Sequence, residues 1–95
     1  MPDIADNERR HRFEMMVDDQ MAYVDYDLKG REITLLHTEV PSALGGRGVG
    51  SALAEAVLST VRDRGLKVVP ECAFIAKYIA RHPEFAGIVA EPRSR

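Results

Sequence analysis

Residues 45–51 have the sequence Gly-Gly-Arg-Gly-Val-Gly-Ser, and this glycine-rich stretch lies between a predicted strand and a predicted helix. Glycine lets the backbone turn sharply and approach a ligand closely. The helix that follows leaves about four amide N–H groups unpaired at its start, where the positive end of its dipole also lies. Such a helix start binds phosphate, and Arg47 can add a charge-assisted contact. The stretch therefore predicts a phosphate-binding loop.

The spacing of the glycines excludes two common phosphate-binding motifs. A mononucleotide P-loop requires lysine after its last glycine, and Ser51 occupies that position. The dinucleotide fingerprint requires glycine or alanine at the same position, and a parallel βαβ unit that the sequence does not predict. The remaining pattern places Gly48 and Gly50 at the start of a helix after an antiparallel strand. This pattern also fits a flexible loop with a helix cap and no ligand.

Three strands are predicted before the loop. Apolar and polar residues alternate from residue 12 to residue 40, with turns predicted at residues 18–19 and 29–30. This pattern indicates an antiparallel meander. Residues 1–10 are polar and aperiodic, which predicts a flexible, loose N-terminal arm.

Two helices and a fourth strand are predicted after the loop. Apolar residues recur every four positions over 51–64, which predicts an amphipathic helix that ends before Gly65. Residues 66–69 are a short apolar run typical of a buried strand, and residues 73–81 predict a second helix. The order β-β-β-α-β-α indicates an α/β fold in a single domain, residues 11–95.

Composition restricts the function. A length of 95 residues allows one small domain, and a formal net charge of −2 argues against binding to nucleic acid or to an anionic membrane surface. No apolar run approaches the ~20 residues of a membrane span, and the first residues lack a signal-peptide pattern, so a cytoplasmic location is expected. The single cysteine, Cys72, excludes an internal disulfide, and its spacing from the three histidines predicts no metal site.

The glycine loop resembles motif A of the GNAT N-acetyltransferase superfamily, Q/R-x-x-G-x-G/A, with Gly48 and Gly50 at the two small positions. A longer series of motifs resembles the minimal, stand-alone GNAT-like family called YjdJ-type, from about Arg12 to Val89. These motifs are His37-Thr38-Glu39-Val40-Pro41, residues 46–53, residues 65–70, Cys72, Tyr78-Ile79 and His82-Pro83-Glu84. The resemblance implies a GNAT fold reduced to its cofactor-binding core, with acetyl-CoA or coenzyme A as ligand.

The same resemblance assigns residues to the cofactor. Main-chain groups of the third strand would pair with the pantetheine arm, and loop amides would hold the pyrophosphate. On the second helix, Lys77 would meet a phosphate and Tyr78 the pantetheine or adenine. For Tyr78 a core position, shared with Phe74 and Ile75, is the open alternative. The strand residues are Thr38, Glu39 and Val40, and the loop residues are Gly46, Arg47, Gly48, Val49, Gly50 and Ser51.

The resemblance also implies an active site formed by Cys72 and His37. Either Cys72 attacks the thioester with His37 as base, or an amine attacks directly, His37 takes its proton and Cys72 reprotonates the departing thiolate. The start of the second helix would favour a thiolate at Cys72, whereas the neighbouring Glu71 would oppose it. The structural alternatives are a buried apolar cysteine and a histidine hydrogen-bonded within the sheet. Strand alternation places His37 on the face of Ile33 and Leu35.

The predicted function is transfer of acetyl from acetyl-CoA to an unidentified amine. A chain this short leaves little material to enclose an acceptor, which favours a protein lysine or a polyamine, and the expected assembly is a monomer or weak dimer. Gly45 replaces the polar residue usual in motif A, and Glu71 replaces an apolar one. These departures keep open a non-catalytic CoA-binding module that acts as sensor or adaptor. An adenine-nucleotide-binding regulator is disfavoured because the loop lacks the P-loop lysine.

Overall fold

Buried and less buried residues alternate along the strands in the first half of the chain, which form the antiparallel meander that the sequence predicts. The computed structural model describes residues 3–90; residues 1–2 of the predicted arm and 91–95 of the predicted domain lie outside this range. Within residues 3–90 the sheet has five strands in chain order; β1 to β4 are antiparallel, and β5 is parallel to β4. The strands are β1 (Ala5–Asn7), β2 (Arg12–Val17), β3 (Gln20–Lys29), β4 (Glu32–Glu39) and β5 (Lys67–Pro70).

Two α-helices complete the α/β fold. They are α1 (Val49–Asp63) and α2 (Ala73–Arg81), and short 3-10 helices span Ser42–Leu44 and Pro83–Ile88. Helix α2 has the predicted bounds, and α1 begins two residues before the predicted start. The turn between β3 and β4 is formed by residues 30–31, one position later than predicted, because Lys29 already pairs with Glu32.

The end of α1 is fixed by Gly65, as predicted. Gly65 has a φ of +71° and donates its N–H to the carbonyl oxygen of Arg62 at 3.0 Å. Leu66 donates to Val61 at 3.1 Å, which completes a Schellman motif. The chain then enters β5, so α1 lies against the sheet.

Strand β1 corrects the prediction of a loose arm for residues 5–7. This strand pairs antiparallel with β2, and the carboxylate of Asp6 accepts hydrogen bonds from Tyr26 at 2.6 Å and from Arg64 at 2.7 Å. Side-chain hydrogen bonds therefore hold a segment that has no apolar periodicity, which is why the sequence pattern did not indicate a strand.

One hydrophobic core lies between the sheet and the helices. Inner-facing residues of β2 to β5 and the apolar stripes of both helices belong to a single buried cluster. Ile75 lies in this cluster, as predicted, whereas Phe74 is 41% exposed and does not belong to the core. Both helices cover the same face of the sheet. The largest fully buried side chains are Phe13, Phe85, Met15, Ile33, Leu35, Leu44, Leu53, Leu58 and Ile75.

A β-bulge interrupts the pairing of β3 with β4. Asp25 pairs with His37, but the next residue, Tyr26, pairs with Leu35. Leu36 is therefore an extra residue on β4, and an extra residue reverses the side-chain alternation that follows it.

The bulge corrects the predicted face of His37. Ile33 and Leu35 are buried beneath the helices, whereas His37 is exposed on the opposite face. Thr38 pairs with the fully buried Val24 and lies on the helix-covered face instead. An uninterrupted strand would have placed these two side chains the other way round.

Candidate functional site

Strands β4 and β5 separate beside the glycine loop. Their parallel pairing ends at Leu35 and Pro70, where the carbonyl oxygen of Leu35 accepts N–H groups from Glu71 at 3.1 Å and Cys72 at 2.9 Å. The chain turns there into α2, while β4 continues to Glu39 with no strand on this side among residues 3–90. We call this gap, between residues 36–40 and the start of α2, the β4–β5 opening.

Hydrogen bonds determine which peptide groups face the opening. Tyr26 donates its N–H to the carbonyl oxygen of His11 at 2.9 Å, on the β2 side, so the peptide groups of Asp25 face β4. His37, the partner of Asp25, therefore directs its own peptide groups back toward β3.

The next residues of β4 alternate from that point. Thr38 and Val40 direct their main-chain groups toward the opening, whereas those of Glu39 face β3. Two of the three residues predicted to pair with the pantetheine arm thus present their backbone there, and Glu39 does not.

Cys72 lies at the inner side of the opening. It is the N-cap residue of α2, as predicted, and is 8% exposed. Its Sγ lies 3.2 Å from Oγ1 of Thr38, and its side chain makes no capping hydrogen bond to α2. The sulfur is therefore held by β4 rather than by the helix amides.

His37 lies on the outer face of the sheet, apart from Cys72. Its Nε2 is 2.9 Å from Oε1 of Glu39, and because a carboxylate accepts hydrogen bonds, Nε2 carries the hydrogen. In the neutral ring, Nδ1 is then the free proton acceptor. The ring of Tyr23 meets His37 edge-on at 6.4 Å. His37 and Cys72 thus project from opposite faces of the sheet and are not brought into contact with each other.

The glycine loop leads into an uncapped helix start. Gly46 and Gly48 have φ angles of +77° and +75°, and Gly48 is the N-cap of α1 without a side-chain capping bond. Ala52 donates the first helical hydrogen bond, to the carbonyl oxygen of Gly48 at 3.0 Å. The preceding amides, those of residues 49–51, are directed out of the helix start. The predicted helix start, with amides that have no partner within the helix, is therefore present.

Arg47 is bonded within the protein. Its Nη1 lies 2.7 Å from Oδ2 of Asp18, in the turn between β2 and β3, and both side chains are at least half exposed. This ion pair ties the glycine loop to the tip of that hairpin. The partner is distant in sequence, so no local pattern indicates it.

A basic cleft lies between residues of the start of α1 and of α2. It has a volume of about 140 Å³, and Lys77, for which a phosphate contact is predicted, lies at its side. Tyr78 also borders the cleft but is 7% exposed, so the core alternative describes most of its ring. The lining residues are Ser51, Phe74, Lys77, Tyr78, Arg81 and His82.

Tyr78 is fixed from two sides. Its hydroxyl donates to Oε1 of Glu55 at 3.2 Å, and its ring stacks on His82 with centroids 3.8 Å apart. Burial and the Glu55 carboxylate raise the pKa of Tyr78, so it stays a neutral hydrogen-bond donor. His82 caps α2 and bonds the carbonyl oxygen of Tyr78 through Nδ1 at 2.9 Å.

The sequence matches that of a known family over most of its length. A family model described as GCN5-related N-acetyl-transferase matches residues 12–88. The chain belongs to this family. A GCN5-like protein from Staphylococcus aureus, solved in solution by NMR, superposes with a TM-score of 0.71 and 26% identity, over 98% of this chain and 92% of that one. The predicted GNAT fold is confirmed.

Vertebrate relatives of the GCN5-related chain carry the name NATD1. The human protein is 35% identical over 83 residues, which cover 84% of this chain and 74% of that protein. The chicken protein is 42% identical over 59 residues, which cover 61% of this chain and 54% of that protein. The chain thus spans about half of the chicken relative.

No helix within residues 3–90 is long and apolar enough to cross a membrane, and no three ligating side chains in that range converge on a metal position.

Proposed function

We propose that the chain is an acetyl-CoA-dependent N-acetyltransferase that acetylates a primary amine by direct attack. The observation that carries the proposal is the β4–β5 opening, which lies beside the glycine loop, with Cys72 on the inner face of the sheet and His37 on the outer face. Membership of the GCN5-related family supports the reaction class.

The cofactor would be held mainly by backbone. The amides of residues 49–51 offer donors to the pyrophosphate, and Thr38 and Val40 offer main-chain groups to the pantetheine arm. Lys77 and Arg81, both exposed beside the cleft, supply positive charge for a further phosphate. When bound, acetyl-CoA supplies the acetyl group as a thioester.

The placement of the two candidate catalytic residues favours direct attack. His37 accepts a proton at Nδ1 from the attacking amine nitrogen as the carbon–nitrogen bond forms. Cys72 gives its Sγ proton to the departing sulfur as the carbon–sulfur bond breaks, and solvent restores both groups. The bulge at Leu36 places the two side chains on opposite faces of the sheet, which favours direct attack over attack by Cys72 with His37 as base.

The acceptor would approach the outer face. No helix covers this face in the described part of the chain, and two carboxylates neighbour His37 there: Asp25 lies opposite it on β3, and Glu39 lies two residues along β4. A carboxylate environment attracts a protonated amine and leaves room for a long chain. These features support a protein lysine or a polyamine as acceptor.

The test begins with calorimetric titration of coenzyme A, followed by mass spectrometry of mixtures of acetyl-CoA with spermidine or a lysine peptide. We expect CoA binding, an acetylated amine and no acetylated Cys72 in the intact protein. His37→Gln and Cys72→Ala are each expected to lower kcat by 10²–10⁴-fold, about the usual contribution of a general acid or base.

Three outcomes would overturn parts of this proposal. Accumulation of acetyl on Cys72 before amine is added would favour the covalent mechanism. Full turnover by Cys72→Ala would leave Cys72 structural. CoA binding without transfer to any amine class would favour the sensor or adaptor module.

A further inference from the structure

The Thr38 hydroxyl and the Cys72 sulfur form a side-chain pair that no backbone requirement of the fold explains. Oγ1 and Sγ are 3.2 Å apart, the threonine is half-buried and the cysteine is buried. Cys72 is already anchored through its N–H to the carbonyl oxygen of Leu35. A second attachment to the same strand fixes the direction of the sulfur as well as the position of the backbone.

The β-bulge is what makes this pair possible. Without the extra residue at Leu36, position 38 would project from the outer face and His37 from the inner face. One irregularity in β4 therefore places a hydroxyl, and not an imidazole, beside the thiol. Bulges that redirect a side chain are common beside active sites.

The direction of the hydrogen bond follows from the chemistry of the two groups. A hydroxyl is a strong donor, whereas a thiol is a weak one, and a thiolate accepts hydrogen bonds and donates none. Sγ of Cys72 is the acceptor that the structure places within reach of the Thr38 hydroxyl, on the buried side of the opening.

We propose that Thr38 is a positioning residue whose hydroxyl donates a hydrogen bond to the sulfur of Cys72 and stabilises the thiolate form. The inference rests on the proposed function, in which Cys72 becomes a thiolate when it gives its proton to the departing sulfur. The sulfur of coenzyme A leaves as a thiolate, and Cys72 becomes a thiolate when it gives up its proton. The proton therefore moves between two sulfur atoms of similar basicity. A hydrogen bond to the new thiolate makes this transfer favourable.

The experiment compares Thr38→Val with Thr38→Ser in the protein without cofactor. Valine keeps the shape of threonine and removes the hydroxyl, whereas serine keeps the hydroxyl. The thiolate absorbance band is followed against pH, with Cys72→Ser subtracted as background. We expect Thr38→Val to shift the appearance of thiolate by about one pH unit to higher pH, the size of a tenfold loss from one hydrogen bond to a charged group. Thr38→Ser should follow the wild-type profile.

Two results would overturn the inference. One is a Thr38→Val profile that coincides with wild type, and the other is an equal shift in Thr38→Ser, which would indicate packing rather than the hydroxyl. The titration needs neither coenzyme A nor an amine. It can therefore contradict the role of Thr38 while acetyl transfer is observed, or support that role while no acetyl transfer is observed. In an active enzyme, Thr38→Val should lower kcat about tenfold with the KM for acetyl-CoA unchanged, because the main chain of Thr38 is retained.

Discussion

Gly50 and Phe74 are in contact, and a Cβ atom added at Gly50 would lie 2.9 Å from Cζ of Phe74. The first turns of α1 and α2 therefore meet with an aromatic ring against bare backbone. Glycine is required at the two small positions of the motif for different reasons in this chain. Gly48 is needed for its positive φ, whereas Gly50 is needed for the approach of Phe74.

The contact predicts that the effect of Gly50→Ala depends on Phe74. With Phe74→Ala as background, alanine gains helix propensity without a clash and should stabilise the fold by about 0.5 kcal/mol. With Phe74 present, the ring must move, so the same change should be neutral or destabilising by about 0.5 kcal/mol. Urea unfolding of the wild type, the two single variants and the double variant measures the coupling free energy between Gly50→Ala and Phe74→Ala. Equal effects in both backgrounds would show that the ring yields without cost.

The ion pair between Asp18 and Arg47 predicts a change in CoA affinity. Asp18→Asn releases the guanidinium, which could then reach the pyrophosphate that the loop would hold under the proposed function. Exposed ion pairs contribute about 0.2–1 kcal/mol, so the Kd for coenzyme A should fall by up to about fivefold in calorimetry. Asparagine also tolerates the positive φ of +49° at this position.

Asp19→Asn is the matched control for this change. It removes the same charge one residue away, at a φ of +62°, and leaves the Asp18–Arg47 pair in place. An equal gain in both variants would assign the effect to net charge. No gain in Asp18→Asn would show that the pair does not compete with the cofactor.

The first-half meander, the bounds of α2 and the cap of α1 at Gly65 could be predicted because local periodicity and one glycine specify them. Strand β1 could not, because its polar residues are held by Tyr26 and Arg64, which are distant in sequence. The exposed position of Phe74 depends on how two helices meet, and a single helix pattern does not contain that information.

The candidate site was predicted in composition but not in arrangement. The glycine loop and Cys72 carry local signals. The bulge at Leu36 leaves none, since the residues around it continue a plausible alternation, and it alone exchanges the faces of His37 and Thr38. The Thr38–Cys72 pair could therefore be found only once the register of β3 with β4 was known.

Glu14 predicts an acid-dependent part of the stability. Hydrogen bonds from Arg12 at 2.6 Å and Asn7 at 3.0 Å lower the pKa of Glu14 below its usual 4.5. A carboxylate with a lowered pKa contributes stability above its unfolded pKa and loses it as the pH falls through the folded value. Glu14→Gln should cost about 1 kcal/mol at neutral pH, and this difference should shrink as the pH falls below 4.5.

Urea midpoints measured across the acid range provide the check. Glu8→Gln removes the same charge from an exposed position and serves as the control. A Glu14→Gln deficit that stays constant with pH would show that the contribution comes from packing and not from ionisation.

Tyr26 predicts the opposite pH dependence. It is 7% exposed, and its hydroxyl donates to Asp6 at 2.6 Å; burial and the Asp6 carboxylate raise the pKa of Tyr26. Because the pKa of Tyr26 is higher in the folded than in the unfolded protein, Tyr26 makes its full contribution to the free energy of unfolding below the unfolded pKa near 10. This contribution is lost as the pH rises through the folded pKa. Tyr26→Phe should therefore cost about 1–2 kcal/mol at neutral pH, since the partly buried Asp6 carboxylate loses a donor, and less above pH 10.

Tyr23→Phe provides the control for this last prediction. Its ring lies 4.3 Å beneath the guanidinium of Arg12, and phenylalanine keeps that cation–π contact. The free energy of unfolding should change by less than about 0.5 kcal/mol, as for a surface substitution. Equal losses in Tyr23→Phe and Tyr26→Phe would mean that the Tyr26–Asp6 hydrogen bond does not stabilise β1, which would then be held by its backbone pairing with β2 and by the Arg64–Asp6 ion pair.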